Sequence, residues 1–226
     1  MAVRSRQAGE VSDYGQQGVT ATSSENAGAQ ILRSTNTHYP SPDPNAHYYG
    51  TAPEIIADLA STPSGLCDLI VAGAGTGGTI TGLSRRLREH NPNVIVLGVD
   101  PRGSILARPE SMNKLEQGES DQYRVEGIGY DFVSAFPAMT SRIGADRSPL
   151  SQIPDVLKHE AVDRWIKCDD ASSFAAARRV IRTEGVLCGG SSGSAISCAL
   201  KFLKSEEGRR DFDVEGKNVV ILLADS

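Results

Sequence analysis

Two glycine-rich turns carry the residues of this chain whose types and spacing suit chemistry. The first is Gly73-Ala74-Gly75-Thr76-Gly77-Gly78-Thr79, placed between a short apolar run and an amphipathic stretch. Glycines let the backbone come close to an anion, their N–H groups converge, and a following helix adds the positive end of its dipole. Thr76 and Thr79 add hydroxyl donors. A phosphate group is the ligand such a loop takes; the plain alternative is a tight turn with no ligand. No lysine follows the glycines, so this is not a Walker loop. The same residues do satisfy G-x-G-x-x-G. Asp100 ends the next strand at about the interval, roughly twenty residues, at which a dinucleotide fold binds a ribose. The second turn, Gly189-Gly190-Ser191-Ser192-Gly193-Ser194, has no counterpart in a dinucleotide fold. A neutral hydroxyl such as Ser191 can face a pyridine nitrogen, leaving it unprotonated and moderating its strength as an electron sink. Helix capping by a serine is the simpler use of the same residue.

The elements around these turns alternate. Leu69-Ile70-Val71-Ala72 is a continuous apolar run, the pattern of a strand buried on both faces. After the first turn, Ile80, Leu83 and Leu87 fall on one helical face, with Arg85, Arg86, Arg88 and Glu89 opposite. Asn91-Pro92 ends that helix, and Val94 to Val99 is the next buried strand. Strand, helix and strand within some thirty residues make a parallel βαβ unit with a right-handed crossover. Further on, Ser172 or Ser173 starts a helix through Phe174, Ala177, Val180 and Ile181, which Gly185 is placed to end. Val186-Leu187-Cys188 reads as a short strand, the second turn opens another helix, and Val219 to Leu223 is a last buried strand. Upstream, Thr37 to Tyr49, with Pro40, Pro42 and Pro44, reads as an irregular connector. Thr51-Ala52-Pro53-Glu54 reads as a capping box before a short helix.

Composition narrows the function classes. Hydrophobic residues are 39% and charged residues 23% of 226, which is ordinary for a globular protein. The net charge of −5, with basic residues scattered among acidic ones, argues against a nucleic-acid partner. No apolar run reaches membrane-spanning length, and Met1 to Glu10 lacks the apolar core of a secretory signal. Cys67, Cys168, Cys188 and Cys198 have neither metal-site nor redox spacing and read as reduced thiols in a cytoplasmic protein. Residues 1–24, rich in Gly, Ser, Gln and Thr, read as disordered.

Five segments together resemble the cystathionine β-synthase family, in the family's order, across most of residues 45–226. They are Asn45-Ala46-His47-Tyr48, Val71 to Ile80, Gly98-Val99-Asp100-Pro101-Arg102-Gly103-Ser104-Ile105-Leu106, Val125-Glu126-Gly127-Ile128-Gly129-Tyr130-Asp131-Phe132, and Gly185 to Ser194. The Tyr130-Asp131 pair favours this family over the related cysteine synthases. The resemblance implies an α/β fold in three layers, a mostly parallel sheet flanked by helices, of the tryptophan synthase β-like kind. It implies pyridoxal 5'-phosphate as cofactor, its phosphate bound by Gly75, Thr76, Gly77, Gly78 and Thr79, and its pyridine nitrogen facing Ser191. Gly127 and Tyr130 then lie on the substrate side. The family's reaction replaces the hydroxyl of serine with the thiol of homocysteine, giving cystathionine in the transsulfuration route to cysteine, and its members form homo-oligomers.

The chain also departs from the family. The lysine that holds the cofactor covalently, the asparagine beside the ring and the loop for the substrate carboxylate all lie upstream of anything matched here. None of Lys114, Lys158, Lys167, Lys201, Lys204 and Lys217 stands in a corresponding motif. Ala224 replaces a proline of the closing motif, and the chain stops at Ser226, where its last buried strand ends. The expectation is an incomplete fold: residues 25–226 form part of a cofactor-binding domain that assigns no catalytic residue and is inactive by itself. A cysteine synthase-type enzyme and a non-catalytic phosphate-binding or oligomerising module are the alternatives.

Ser134 to Ile153 is extra, because the family runs directly from the equivalent of Phe132-Val133 into the pattern seen here as Pro154-Asp155-Val156-Leu157. The extra stretch has no helical or strand period. It reads as a retained intron or a mis-joined exon translated in frame, with a lineage-specific loop as the alternative. Transcripts sequenced across this junction are expected to include messages that lack the segment; uniform retention would exclude the intron.

Overall fold

The computed structural model describes residues 28–33, 44–130 and 156–224. The expectations for residues 1–24 and 134–153 fall outside them. In chain order the elements are β1 (Gly28–Arg33), α1 (Pro44–Ala46), a π-helical turn (His47–Thr51), α2 (Ala52–Leu59), β2 (Leu69–Gly73), α3 (Gly78–His90), β3 (Ile95–Pro101), β4 (Arg164–Cys168), α4 (Asp170–Glu184), α5 (Gly190–Leu203), α6 (Glu206–Asp211) and β5 (Asn218–Leu223).

The strands form one sheet in the order β1-β5-β2-β3-β4, and every pairing is parallel. Side chains along β2, β3 and β5 alternate between two cores, as the pleat requires. Ile70, Ala72, Val96, Val220 and Leu222 pack with Ile55 and Leu59 of α2 and Ile80, Leu83 and Leu87 of α3. Leu69, Val71, Leu97, Val99, Val219, Ile221 and Leu223 pack on the other face with Val180 of α4 and Ile196, Ala199 and Phe202 of α5. These are the three layers the sequence implies. Both faces of the sheet are covered, which is why its central strands read as unbroken apolar runs.

Local chemistry sets the helix ends, and it differs from the sequence reading in places. α3 ends at Asn91, whose N–H donates to Leu87 O at 2.7 Å, and Pro92 cannot continue it. α4 starts at Asp170, not at Ser172 or Ser173, because the Asp169 carboxylate accepts from Ser172 N at 2.9 Å. Gly185 ends it in the left-handed conformation. The capping box is absent: Thr51 has helical backbone angles and makes no side-chain cap, since Pro44 to Leu59 is one continuous helical stretch through the π-turn. Of the connector expected over Thr37 to Tyr49, the described part, from Pro44 onward, is therefore helical. Val186-Leu187-Cys188 is not a strand. Val186 is buried, Leu187 is 65% exposed, and the segment joins α4 to α5 as irregular chain.

β4 was invisible in the sequence because it carries Arg164 and Lys167. Lys167 is nevertheless only 11% exposed, and its ammonium is paired with the fully buried Asp100 at the end of β3. Its Nζ donates to Asp100 Oδ2 at 2.7 Å, Ser104 O at 2.8 Å and Asn113 Oδ1 at 3.1 Å. Asp100 Oδ2 also accepts from Ala107 N at 3.0 Å. All three ammonium hydrogens thus have acceptors, the condition for keeping such a charge inside.

This network reaches the top of the sheet. Ser104 Oγ accepts from Tyr130 N at 2.9 Å, and Ile105 N donates to Tyr130 O at 3.2 Å. Gly129 N donates to Ala74 O at 2.7 Å, and Ala74 N donates to Val99 O at 2.9 Å. The segment 127–130 is therefore clamped to both the 102–113 loop and the first glycine turn. Replacing Lys167 by methionine leaves Asp100 buried without its counter-ion. We expect a loss of about 3–5 kcal/mol in urea-unfolding stability, and a loss below 1 kcal/mol would show that the pair is not what holds this edge.

Candidate functional site

A cleft of about 90 Å³ opens at the C-terminal ends of β2 and β5, lined by residues of four segments. In open parallel sheets, ligands sit outside the carboxyl ends of the strands. Gly73 ends β2, Gly75, Thr76, Gly77, Thr79 and Ile80 form the turn into α3, and Gly127 and Ile128 face them. Ser191, from the first turn of α5, and Leu222 with Ala224, at the end of β5, complete the lining.

Each candidate residue has a definite place. Gly75, Thr76, Gly77, Thr79, Ser191 and Gly127 share the cleft. Gly78 is buried as the first residue of α3 and contributes backbone at the mouth of the turn rather than lining surface. Tyr130 is half-buried against the α2–α3 core and is not a lining residue. Its backbone, clamped through Ser104 and Ile105, instead fixes the segment that carries Gly127 and Ile128. Ser191 is 6% exposed and lies inside α5, whose N-cap is Gly189 with no side-chain cap bond; Ser191 is not the cap. Gly73, Ile80, Ile128, Leu222 and Ala224 also line the cleft, a role their residue types do not announce in the sequence. Small or apolar lining residues carry no chemical signature, so only their position reveals them.

The turn is built for an acidic ligand. α3 has 13 residues, and its first N–H groups lack intrahelical acceptors and point out of its N-terminus beside Thr79. Gly77 holds φ = +92°, and a Cβ there would lie 2.4 Å from Leu157 Cα. Leu157 follows the point where the family pattern resumes, and it is bound to α3 as well: Thr81 Oγ1 donates to Val156 O at 3.1 Å. The turn is pressed from its other side by Gly127, whose carbonyl oxygen would stand 3.1 Å from a Cβ on Gly75. Gly127 itself has nothing within 4 Å of where a Cβ would stand, which leaves the space above the turn open. A phosphate at the helix N-terminus with an aromatic ring reaching toward Ser191 fits this donor set, and pyridoxal phosphate has that shape.

Asp100 settles the competing dinucleotide reading. A ribose-binding carboxylate must face the cleft, whereas Asp100 is 0% exposed and engaged by Lys167 and Ala107. No lysine lines the cleft either. Lys167 and Lys217 are paired with Asp100 and Asp68, and Lys114, Lys158, Lys201 and Lys204 are exposed elsewhere.

The polar environment of Thr79 extends behind the cleft. Its Oγ1 lies 3.1 Å from Nε2 of His47, whose Nδ1 lies 3.1 Å from Thr51 Oγ1. Burial holds the His47 imidazole below its usual pKa, so it is neutral at pH 7. His47 stood inside a quoted sequence motif without a role. The signal that could have found it is the i, i+4 spacing of His47 and Thr51.

Comparison with known proteins places the chain among these enzymes. The pyridoxal-phosphate dependent enzyme family matches residues 9–225. A cystathionine beta-synthase of Dictyostelium discoideum is 47% identical over 184 residues, 81% of this chain and 30% of that protein. The cystathionine beta-synthase of Rattus norvegicus is 45% identical over the same share of this chain and 27% of its own length. A cysteine synthase of Helicobacter pylori is 32% identical over 72% of this chain. The chain thus spans about 30% of the length of these cystathionine beta-synthases. Among solved structures, a hydrogen sulfide-producing enzyme from Fusobacterium nucleatum superposes with a TM-score of 0.60 at 27% identity, covering 81% of this chain and 49% of that one.

The Gly77 turn yields a direct test. Gly77→Ala must either strain a left-handed backbone or displace Leu157, at a cost of about 1–3 kcal/mol. Affinity for inorganic phosphate, measured by titration calorimetry, is expected to fall about tenfold. Unchanged affinity would place the anion somewhere else.

Proposed function

Because the chain belongs to the family of pyridoxal-phosphate dependent enzymes, we propose that it supplies the cofactor-phosphate side of a lyase that condenses serine with homocysteine to cystathionine. The observation that carries this reading is the meeting of the Gly75–Thr79 turn, Ser191 and Gly127 in one cleft. When bound there, pyridoxal phosphate supplies an electron sink for negative charge at the substrate's Cα. The residues of this chain bind and orient. The turn and the α3 N-terminus hold the phosphate, with Thr76 and Thr79 as hydroxyl donors. Ser191 offers its hydroxyl to the pyridine nitrogen and keeps it unprotonated. Ile128 and Leu222 exclude water from the ring, and Gly127 leaves room for the amino acid on the substrate side.

Chemistry of this class also needs a lysine amine to take the cofactor covalently and to move the Cα proton. The six lysines of the chain stand away from the cleft. We therefore propose that these 226 residues bind the cofactor through its phosphate without performing the reaction alone. A cytoplasmic location and a homo-oligomeric parent enzyme belong to the same proposal. The similarity to a cysteine synthase supports a second reading, in which sulfide is the acceptor and cysteine the product. Among the described residues, no helix is long and apolar enough to cross a membrane.

Two measurements test this reading. The full-length protein is assayed with serine and homocysteine against O-acetylserine and sulfide; cystathionine as the main product supports the first reading, and cysteine the second. The 226-residue chain is incubated with pyridoxal phosphate, reduced with borohydride and mapped by mass spectrometry. No single lysine is expected to be labelled stoichiometrically. A unique labelled lysine together with product formation would overturn the non-catalytic part of the proposal.

A further inference from the structure

We infer that His47 is a positioning residue for the anion site: its Nε2–H donates to Thr79 Oγ1, so that the Thr79 hydroxyl proton is left to point at the phosphate. The inference rests on the reading of the cleft as the cofactor-phosphate site and adds a residue that does not line it.

Three features place His47 there. The first is the hydrogen-bond chain Thr51–His47–Thr79, with both contacts at 3.1 Å. A neutral imidazole has one donor and one acceptor nitrogen, so the direction of one contact fixes the other. If Nε2 accepted the Thr79 proton, that hydroxyl would be spent on the ring and could only repel an anion. The opposite tautomer has Thr51 O–H donating to Nδ1 and Nε2–H donating to Thr79 Oγ1. It ends in a free O–H donor at the cleft wall, and a bound phosphate favours it.

The second feature is the π-turn, in which Ala52 N–H donates to His47 O. Such turns are rare, occur mostly as single turns and are frequent at functional sites. This one brings the His47 Nδ1 within 3.1 Å of Thr51 Oγ1. The third is the crossing of this turn over α3 at Gly82, where a Cβ would meet Pro44 O at 2.1 Å and His47 Cβ at 3.0 Å. Only a residue without a side chain lets the two helical segments approach closely enough for His47 to reach Thr79, one turn before Gly82 on the same helix. Burial keeps the ring neutral, which preserves the one-donor, one-acceptor arrangement.

Substitutions separate this role from packing. Binding of inorganic phosphate and of pyridoxal phosphate is measured by titration calorimetry, with circular dichroism reporting the fold of each variant. His47→Gln can place an amide N–H near the position of Nε2, whereas His47→Asn reaches only toward Thr51, and His47→Phe keeps bulk without either contact. The expected result is affinity within about twofold of wild type for Gln and a loss of about tenfold for Asn and Phe. In a Thr79→Val background, His47→Phe is expected to cause no further loss. Wild-type affinity in His47→Phe, a Gln variant as weak as Asn, or a full His47→Phe loss in the Thr79→Val background would each overturn the inference. If His47→Phe fails to fold, the Gln and Asn pair decides alone. If the wild-type chain takes up neither ligand, the reading of the cleft falls first, and this inference with it.

Discussion

A single buried ion pair constrains the whole upper edge of this sheet. Asp100 is fully enclosed at the end of β3, and Lys167 reaches it from the neighbouring edge strand. A carboxylate in that position is costly unless paired, so the pairing of β3 with β4 and the course of the 102–113 loop are set together. The loop supplies the remaining acceptors of the lysine, and Ser104 on the same loop grips the backbone of Tyr130. The segment that carries Gly127 and Ile128 to the cleft is therefore placed by electrostatics more than ten residues earlier in the chain. The same pairing removes Asp100 from any direct role with a ligand.

The proposed anion site is shaped by close approaches of backbone that side chains would forbid. Leu157 presses on Gly77, Gly127 faces Gly75, and Pro44 crosses Gly82. Each contact brings a separate stretch of chain against α3 or the turn before it. These contacts set the backbone course of the turn. The helix dipole adds a fixed, favourable field at the same point. Donors on one turn and a hydroxyl on a second helix suit a ligand with a phosphate at one end and a ring nitrogen at the other.

The π-turn from His47 to Thr51 gives this site a second layer. It lies on the face of α3 that carries Thr79, and α2 continues from it without a break. The helical stretch 44–59 therefore does two tasks at once. Ile55 and Leu59 anchor it in the core beneath α3, and that anchoring holds the His47 ring against Thr79. Here the packing energy of the fold is what positions the polar group.

Much of this was determined by the sequence alone. The apolar runs of β2, β3 and β5 could only be strands covered on both faces, and the Ile80, Leu83 and Leu87 spacing could only be a helix on such a sheet. The glycines of the first turn carry their own chemistry, because φ = +92° at Gly77 and close backbone approach leave few other residue types. Tertiary structure decided the rest. Lys167 marks β4 as polar until Asp100 neutralises it, so no local pattern could identify that strand. Thr51 looks like a cap until the helix is seen to run through it, and Val186 to Cys188 looks like a strand although it serves as the irregular link from α4 to α5. Gly127 and Ser191 lie 64 residues apart in sequence and share a wall of the cleft only because the sheet order brings their segments together. His47 had no assignable role at all, since a histidine's task depends on what stands beside both ring nitrogens, and one of those partners comes from another helix.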